Sequence, residues 1–363
     1  MTIAFTGGGT GGHIYPGLAI ADVLKKDNPG CRIFWIGSGK GMDRSIVEEA
    51  GIDFYGIPTG KLRRNFSLRN FTDIFNIIAA FFIARKILKK EKPDLLFSKG
   101  GFASVPPSVA AASLKIPVFA HESDLTLGLA AKINLRFAEK HFVPYNESIN
   151  FVPQKYINKL EVSGNPVRYN FLLADESRGR AFLGLDENER ILLVLGGSSG
   201  SLEVNHLIKE SLPELTRYYT VVHQCGSNDG EIPESGPRYK PYAYFRDELP
   251  HIIKAAELVI CRGGAGTIWE CAALKKPMII IPLRGKGTRG DQVENAGIFE
   301  KAGAAISFID DSEITVSAQN LSALAAKLAE NETKRKSMAA SEIIKTGAAG
   351  YIADKIMQRV RGE

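Results

Sequence analysis

Short apolar runs alternate with segments of helical spacing along the chain. Residues 3–5 form the first run, and residues 18–24 follow with apolar side chains spaced as on one helix face. The same start recurs in the second half, where an apolar run at residues 191–195 precedes another helical segment. Short strands separated by helices are typical of parallel sheets with right-handed crossovers. The pattern therefore predicts an α/β protein with two doubly wound, Rossmann-like domains.

The chain of 363 residues is long enough for about two domains. Residues 169–189 are polar and charged and are predicted to be a linker. We expect an N-terminal domain at residues 1–165 and a C-terminal domain at residues 166–345, with a last helix at about 346–363 packing back on the first domain. Ligands bind at the carboxyl ends of parallel strands in such sheets. We therefore expect the two domains to face each other across a cleft lined by their glycine loops.

The first predicted strand runs into a glycine loop at residues 6–17, which opens the first helix. Backbone N–H groups and the positive end of a helix make such a loop a candidate phosphate site. Gly7, Gly9 and Gly12 fit the dinucleotide pattern G-x-G-x-x-G, although a tight turn that needs glycine only for its dihedral angles would look the same. The second strand ends in Gly-Ser-Gly-Lys-Gly at residues 37–41, without the Asp or Glu that holds a ribose. This absence argues against an NAD site.

Two further glycine loops, at residues 196–201 and 262–267, follow predicted strands of the second domain and open helices. Their backbone N–H groups are suited to a diphosphate, with Ser198 adding a hydroxyl. Glu270, one turn into its helix, is a candidate acceptor for two ribose hydroxyls; alternatively, Thr267 and Glu270 form a capping box. The chain has no Asp-x-Asp pair, and its four cysteines lack zinc spacing, so a metal-bridged diphosphate is not favoured.

His13 stands at the tip of the first glycine loop. Histidine side chains accept protons near neutral pH, which suits a general base. A lone histidine is more often structural, but one on a glycine loop beside a cleft has the position that a base needs. His121 and Glu122 form a second polar pair at the end of a later strand, and Glu122 is expected to orient the base or to share the proton transfer.

The net charge of +6 is concentrated in residues 61–92, which hold nine basic and two acidic side chains. This window encloses an apolar run at residues 74–84 that would cover nearly the whole circumference of a helix. Such a helix either inserts one face at an anionic membrane surface or is a fully buried crossover helix with a solvated basic end. No apolar run approaches the about 20 residues of a membrane span. The aromatic residues are not interleaved with the charges, so nucleic acid is not expected. The side chains predicted to meet a membrane are Ile74, Phe75, Phe81, Phe82, Arg85, Lys86, Lys89 and Lys90.

An ordered set of motifs between residue 6 and about residue 305 resembles the MurG family, the N-acetylglucosaminyltransferases of peptidoglycan assembly. The motifs are GGGTGGH at 7–13, SKGGF at 98–102, HE at 121–122, GNPVR at 164–168, GGS at 196–198 with Asn205, and Gln292 with Asn295 and Ala296. The resemblance implies a GT-B fold and an inverting enzyme. We expect no cofactor and no metal. The implied reaction moves N-acetylglucosamine from UDP-N-acetylglucosamine to the 4-hydroxyl of N-acetylmuramyl-pentapeptide on undecaprenyl diphosphate, which converts lipid I to lipid II. The implied setting is the cytoplasmic face of the cell membrane, with both substrates, an anionic membrane surface and other cell-wall synthesis proteins as partners.

Carried over by position, the resemblance implies His13 as the catalytic base, in agreement with the chemistry of the residue. With Glu122 in its supporting role, His13 and Glu122 are the predicted catalytic residues. The donor contacts that it implies are Thr10, Gly11, Gly12, His13, Asp124, Arg168, Ser198, Arg246 through its backbone, Ala265, Gly266, Thr267, Glu270 and Gln292. The acceptor contacts that it implies are Gly9, Phe102, Glu122 and Asn205, with Thr10 and His13 on the same side.

The chain departs from some members of the family at Ser123 and Asp124, where they have Gln-Asn, and at Asp291, where a second Gln can stand. These differences resemble a Gram-positive branch and leave open whether Asp124 contacts the donor sugar. Two other kinds of function remain as alternatives. One is another two-domain UDP-sugar enzyme, such as a diacylglycerol glucosyltransferase or a UDP-N-acetylglucosamine 2-epimerase. The other is a non-catalytic nucleotide-sugar-binding protein at the membrane.

Overall fold

A computed structural model of the chain describes residues 1–60, 69–197, 200–226, 232–285, 288–341, 343 and 347–362, without the side chains of residues 69–72. The chain divides into two compact units, Met1–Arg168 with Lys345–Glu363, and Tyr169–Ile344. The predicted donor contact Ser198 and the basic residues at 61–68 lie outside the described residues.

The N-terminal unit is built on a parallel sheet. Its elements in chain order are β1 (Thr2–Thr6), α1 (Tyr15–Asp27), β2 (Arg32–Ser38), α2 (Asp43–Glu49), β3 (Asp53–Ile57), α3 (Arg69–Glu91), β4 (Leu95–Ser98), α4 (Val105–Ser113), β5 (Val118–His121), α5 (Leu129–Phe137), β6 (Lys140–Val143) and β7 (Leu160–Val162). The seven strands pair in the order β3-β2-β1-β4-β5-β6-β7, all parallel. The predicted doubly wound α/β architecture is confirmed for this half of the chain.

Both faces of this sheet are covered, which is why its strands are apolar at successive positions. In β1, Ile3 and Phe5 belong to the core layer that α1 closes, and Ala4 belongs to the opposite layer. Helix α3 packs on that opposite layer through Ala80 and Ala84. Alternating side chains of one strand therefore hold helices on both sides of the sheet.

Helix α3 is buried on one face only. Phe75 and Phe82 are 69% and 64% exposed, and Ile74, Ile78 and Ile83 are exposed as well. The alternative of a fully buried crossover helix is wrong, because Ala80, Ala84 and Leu88 pack on the sheet while these phenylalanines and isoleucines are exposed. None of the helices in the described part of the chain is long and apolar enough to cross a membrane.

The C-terminal unit repeats the architecture. Its elements are α6 (Tyr169–Leu172), α7 (Glu176–Leu183), β8 (Ile191–Leu195), α8 (Leu202–Tyr218), β9 (Thr220–Gln224), β10 (Tyr239–Tyr242), α9 (Leu249–Ala255), β11 (Leu258–Cys261), α10 (Ala265–Ala273), β12 (Met278–Ile280), α11 (Asp291–Lys301), β13 (Ala305–Ser307), α12 (Ile314–Glu330) and α13 (Glu332–Ala339). The six strands pair in the order β10-β9-β8-β11-β12-β13, all parallel. Together, the two Rossmann-like sheets confirm the predicted fold class.

The predicted linker at residues 169–189 is wrong, because this segment forms helices α6 and α7. Asp175 caps α7 by accepting hydrogen bonds from the backbone N–H groups of the next turn, and Gly184 ends the helix in the left-handed region. A side chain at Gly179 would bring its Cβ within 2.3 Å of the His251 carbonyl oxygen, so α7 lies very close to α9. The polar composition belongs to a short helix with one buried edge rather than to a linker.

The last helix, α14 (Ala348–Arg361), belongs to the N-terminal unit. Ile352 and Ile356 are fully buried in the core layer that also contains Leu24 of α1. Arg359 forms an ion pair with Glu139 at 2.7 Å. The end of the chain therefore completes one face of the first sheet.

Two fully buried histidines make the stability of the N-terminal unit depend on pH. Burial, with a smaller contribution from the positive charge of Lys99, lowers the pKa of His121 well below its ordinary value, and lowers that of His141 to about 3. The unfolded chain takes up a proton on each histidine below pH ~6.5, whereas the folded unit does not. The stability that depends on keeping these two histidines neutral is therefore fully present above that pH and decreases as the pH falls.

We expect His141→Leu to reduce this acid sensitivity. Neither ring nitrogen of His141 has a hydrogen-bond partner among the described residues, so an apolar replacement leaves no new polar group unsatisfied. From pH 7 to pH 5 the variant should lose about 2 kcal/mol less unfolding free energy than the parent. Urea unfolding of a Trp269→Phe background measures this, because Trp35 then reports on the N-terminal unit alone. Equal losses in variant and parent would contradict the assignment.

Candidate active site

A buried carboxylate holds the first glycine loop, between β1 and α1. Asp43, only 1% exposed, accepts hydrogen bonds from the backbone N–H of Gly9 at 3.0 and 3.1 Å and from that of Ser38 at 3.2 Å. A Cβ at Gly8 would lie 1.9 Å from an Asp43 oxygen. Burial raises the pKa of the Asp43 carboxyl, and the two backbone hydrogen bonds act in the opposite direction. Nothing in the sequence around residues 37–41 indicates this contact.

The His13 side chain lies against a second glycine loop, which follows β4. Gly100 and Gly101 both have left-handed backbone conformations, with φ of 88° and 76°. A Cβ at Gly101 would lie 2.9 Å from the His13 ring and 2.5 Å from the Gly8 carbonyl oxygen. A Cβ at Gly9 would lie 2.5 Å from the Phe102 ring. The structure thus brings three predicted residues, Gly9, His13 and Phe102, to one place at the carboxyl edge of the sheet.

Glu122 uses both carboxylate oxygens to hold the loop that follows β5. One oxygen accepts from the backbone N–H groups of Ser123 at 2.8 Å and Asp124 at 3.4 Å, and the other accepts from Gly128 at 3.1 Å. His121 lies 3.0 Å from the Gly164 carbonyl oxygen through Nε2, which must carry the proton because a carbonyl only accepts. The geometry gives Glu122 a positioning role, and its share in proton transfer stays a prediction.

Thr10, Gly11 and Gly12 lead into His13 through a 3-10 turn, in which the His13 N–H donates to the Thr10 carbonyl oxygen at 3.0 Å. A Cβ at Gly11 would lie 3.0 Å from the Tyr15 ring. The Arg168 guanidinium lies 4.6 Å from the centre of that same ring. Arg168 is thereby placed beside the first glycine loop.

In the C-terminal unit, buried polar side chains hold the loop between β8 and α8. Gln224 donates to the Gly197 carbonyl oxygen at 3.1 Å and accepts from the Phe245 N–H at 3.0 Å. Arg262 donates to the Ser201 hydroxyl and to the Glu203 carboxylate, both at 2.6 Å. These hydrogen bonds join the first loop of this unit to the strand ends of β9 and β11.

The next loop, between β11 and α10, is packed against α11. A Cβ at Gly263 would lie 2.5 Å from the Gln292 carbonyl oxygen, and the buried amide of Asn295 donates to the Gly263 carbonyl oxygen at 3.3 Å. Gln292 accepts from the Leu283 N–H at 2.9 Å through its side chain. Gln292 is therefore beside the loop that carries Ala265 and Gly266.

The capping box proposed for Thr267 and Glu270 is wrong. Gly264 is the N-cap of α10 and makes no side-chain cap, so Thr267 lies inside the first turn rather than before it. Glu270 is half-buried on the next turn. The capping box is thus excluded as the alternative role of Glu270, and its contact with a ribose stays a prediction.

Two predicted contacts are engaged within the C-terminal unit. The Asn205 side chain donates to the Cys225 carbonyl oxygen at 2.9 Å, which ties α8 to the end of β9. The Arg246 N–H donates to the Glu248 carboxylate at 3.1 Å, and the Arg246 carbonyl accepts from the Leu249 N–H at 3.3 Å. A nucleobase that binds the Arg246 backbone would donate a hydrogen bond to the second lone pair of that carbonyl oxygen. Among the residues that the structure describes, no group of three His, Cys, Asp or Glu side chains could hold a metal ion.

Comparisons with known proteins agree with the two-unit arrangement. The model of the glycosyltransferase family 28 N-terminal domain matches residues 3–143, and that of the family 28 C-terminal domain matches residues 191–354. A UDP-N-acetylglucosamine–N-acetylmuramyl-(pentapeptide) pyrophosphoryl-undecaprenol N-acetylglucosamine transferase of Treponema denticola is 45% identical, over 84% of this chain and 82% of its own. The relative of that name in Clostridium perfringens is 44% identical, over 83% of each chain. The chain belongs to this transferase family, within glycosyltransferase family 28. The predicted family is confirmed, while the predicted Gram-positive branch stays a prediction.

Solved structures show the same fold at low sequence identity. MurG of Acinetobacter baumannii matches with a TM-score of 0.71 and 22% identity, over 98% of this chain and 99% of that one. A UDP-GlcNAc 2-epimerase of Neisseria meningitidis matches with a TM-score of 0.67 and 17% identity, over 99% of this chain and 100% of that one. The GT-B fold is shared by transferases and epimerases, so the fold does not distinguish the two reactions.

We expect Gly101→Ala to lower the turnover of sugar transfer by about 10- to 100-fold, because the new methyl group displaces the His13 ring. Gly51→Ala is the matched control: Gly51 also has positive φ, 65°, but a Cβ there meets nothing within 4 Å. Gly51→Ala carries a backbone strain of about 1–2 kcal/mol. Gly101→Ala carries more, because Gly101, at φ 76° and ψ 160°, has a conformation that is essentially restricted to glycine. Steady-state kinetics and thermal unfolding together distinguish the two effects. Similar turnover in both variants would show that the packing of the His13 ring against Gly101 is unimportant for turnover.

Proposed function

We propose that this protein transfers N-acetylglucosamine from UDP-N-acetylglucosamine to the 4-hydroxyl of N-acetylmuramyl-pentapeptide on undecaprenyl diphosphate. The observation that carries the proposal is the 45% identity, over 84% of the chain, with a relative named for this reaction. The geometry is consistent with it, because each unit gathers glycine loops at the carboxyl edge of a parallel sheet, where nucleotide and sugar ligands bind.

The proposed chemistry is a single displacement with inversion. The acceptor hydroxyl attacks the anomeric carbon, its proton passes to His13, and the bond from that carbon to the UDP oxygen breaks, with the electron pair leaving on UDP. His13 is suited to this role because its ring is seated on Gly100 and Gly101, beside the backbone of the first glycine loop. A positioned general base contributes about 10²–10⁴ in rate.

The leaving diphosphate is proposed to bind the C-terminal unit. Helix α10 begins at the glycine loop and directs its first N–H groups, including those of Ala265, Gly266 and Thr267, towards the carboxyl edge of the sheet. Helix N-termini stabilise negative charge without a metal. Glu270 is proposed to accept hydrogen bonds from the ribose, and Gln292, which touches the loop, to contact the donor.

The exposed face of α3 is proposed to dock on an anionic membrane at its cytoplasmic face. Phe75 and Phe82 point away from the sheet, while Lys86, Lys89 and Lys90 are exposed at the other end of the same helix. An amphipathic helix of this kind lies in the interface with its cations on the lipid headgroups. This location would bring the enzyme to an acceptor that is held in the bilayer.

UDP release measured with and without lipid-linked muramyl-pentapeptide tests the proposed reaction. We expect release that depends on the acceptor, and a loss of about 10²–10⁴ in turnover for His13→Ala, with little change in UDP binding. Turnover near that of the parent in His13→Ala would exclude His13 as the base.

Glu270→Ala is the complementary variant and should raise the apparent KM for the donor instead of lowering turnover alone. The alternatives give different products in the same assay. A 2-epimerase converts UDP-N-acetylglucosamine without acceptor, a diacylglycerol glucosyltransferase uses a different acceptor, and a binding protein releases no UDP. Any of these results would overturn the proposed reaction.

Reversing Lys86, Lys89 and Lys90 to Glu tests membrane docking. Each lysine near an anionic surface contributes about 1 kcal/mol, so binding to vesicles of anionic lipid should weaken by about two orders of magnitude. The matched control reverses Lys301, Lys327 and Lys334, three exposed lysines of the C-terminal unit, by the same total charge. Equal effects of the two triple variants in vesicle sedimentation would mean that only net charge matters.

A further inference from the structure

A buried lysine lies at the centre of the N-terminal site. Lys99 follows β4 directly and is only 1% exposed. Its ammonium donates to the Ser123 hydroxyl at 2.8 Å. Ser123 belongs to the loop whose backbone Glu122 holds, so this hydrogen bond attaches that loop to the second glycine loop.

Lys99 touches all three loops of this edge. Its backbone N–H donates to the Thr6 carbonyl oxygen at 2.7 Å, and its Cβ would lie 3.1 Å from a Cβ at Gly7, at the start of the first glycine loop. The next residue, Gly100, lies against the His13 ring. A single side chain therefore connects the backbone beneath the proposed base with the loop that carries Glu122 and Asp124.

The charges around Lys99 explain why an ammonium ion is tolerated inside the unit. Glu122 and Asp124 attract it, and His121 and His141, whose pKa values its charge lowers, face it in their neutral forms. Removing the charge of Lys99 alone would therefore be costly, because it would leave the two nearby carboxylates uncompensated.

We propose that Lys99 is a positioning residue for sugar transfer, whose ammonium locks the loop of residues 122–128 onto the two glycine loops and so fixes the acceptor side relative to His13. The inference rests on the proposed function for its effect on turnover. Its structural part, the locking of the loop, stands independently of the reaction.

Burial lowers the pKa of Lys99 to about 8, against the attraction of Glu122 and Asp124. Above that pH the neutral amine still donates to Ser123 but no longer balances the two carboxylates. Turnover of the parent enzyme should therefore decrease as the pH rises through about 8, in addition to any change that the substrates themselves impose on every variant.

Lys99→Met tests the proposal by removing the charge at nearly constant volume. We expect turnover about 10- to 100-fold lower, a donor KM within threefold of the parent, and no decrease in turnover between pH 7.5 and 9.5 beyond the change that all variants share. Ser123→Ala keeps the charge and should lose only about threefold in turnover while retaining the alkaline decrease. An alkaline decrease that persists unchanged in Lys99→Met would overturn the assignment.

Hydrogen exchange of the Ser123, Asp124 and Gly128 amides gives a readout without catalysis. These are the N–H groups that Glu122 holds, and their protection should fall about tenfold or more in Lys99→Met. Lys276→Met is the matched control: this lysine is half-buried, with a pKa that is also lowered to about 8, but it lies in the C-terminal unit before β12, at the amino edge of the sheet.

Protection of the three amides that is unchanged in Lys99→Met, or lowered equally in Lys276→Met, would overturn the proposal. If Lys99→Met does not fold, Ser123→Ala decides, because unchanged protection of Asp124 and Gly128 there would equally overturn it. A parent enzyme that releases no UDP would disprove the proposed function while leaving this exchange comparison valid.

Discussion

At the carboxyl edge of the first sheet the loops lie so close together that Gly8, Gly9 and Gly101 have no room for a side chain. The rest of the site depends on this constraint. A Cβ at Gly8 would lie 1.9 Å from Asp43, one at Gly9 2.5 Å from Phe102, and one at Gly101 2.9 Å from His13. Real side chains do not approach so closely, so glycine is needed here for space as well as for dihedral angles. The close approach lets one carboxylate, one aromatic ring and one imidazole be held by backbone from two loops. These three glycines therefore fix the position of the His13 ring, the proposed base.

The second unit meets the same requirement with different polar groups. At Gly200 a Cβ would lie 2.1 Å from the Cys225 carbonyl oxygen, and at Gly263 it would lie 2.5 Å from that of Gln292. The loops are held there by the neutral amides of Gln224 and Asn295, in addition to Arg262. Neutral donors and helix N-termini suit a proposed diphosphate site, because a buried carboxylate close to it would repel the ligand.

The periodicity of the sequence was sufficient to predict most of the fold and the positions of the glycine loops. It was insufficient to predict the side chains that hold those loops in place. Strands with unbroken apolar runs, such as Ile191–Leu195, are buried on both faces, and that burial is visible in the sequence. Strands β3 and β13 and helix α7 are half-buried edge elements whose polar residues hide the pattern. Asp43 and Lys99 could not be predicted as site residues, because their partners are other loops and a sequence without its fold does not show such contacts. His13, by contrast, stands inside the glycine motif itself.

The buried ions of the N-terminal unit are best understood as a choice of geometry over stability. Burial moves the pKa of Lys99 down to about 8 and that of Asp43 up, which means that the folded state disfavours both charged forms relative to water. In proteins generally, replacing buried charges by well-packed apolar side chains is often neutral or stabilising. However, an apolar side chain cannot hold the backbone N–H of Gly9 or the hydroxyl of Ser123. A proton-transfer site needs its base fixed to a fraction of an ångström, and directional hydrogen bonds supply that precision in loops that are rich in glycine.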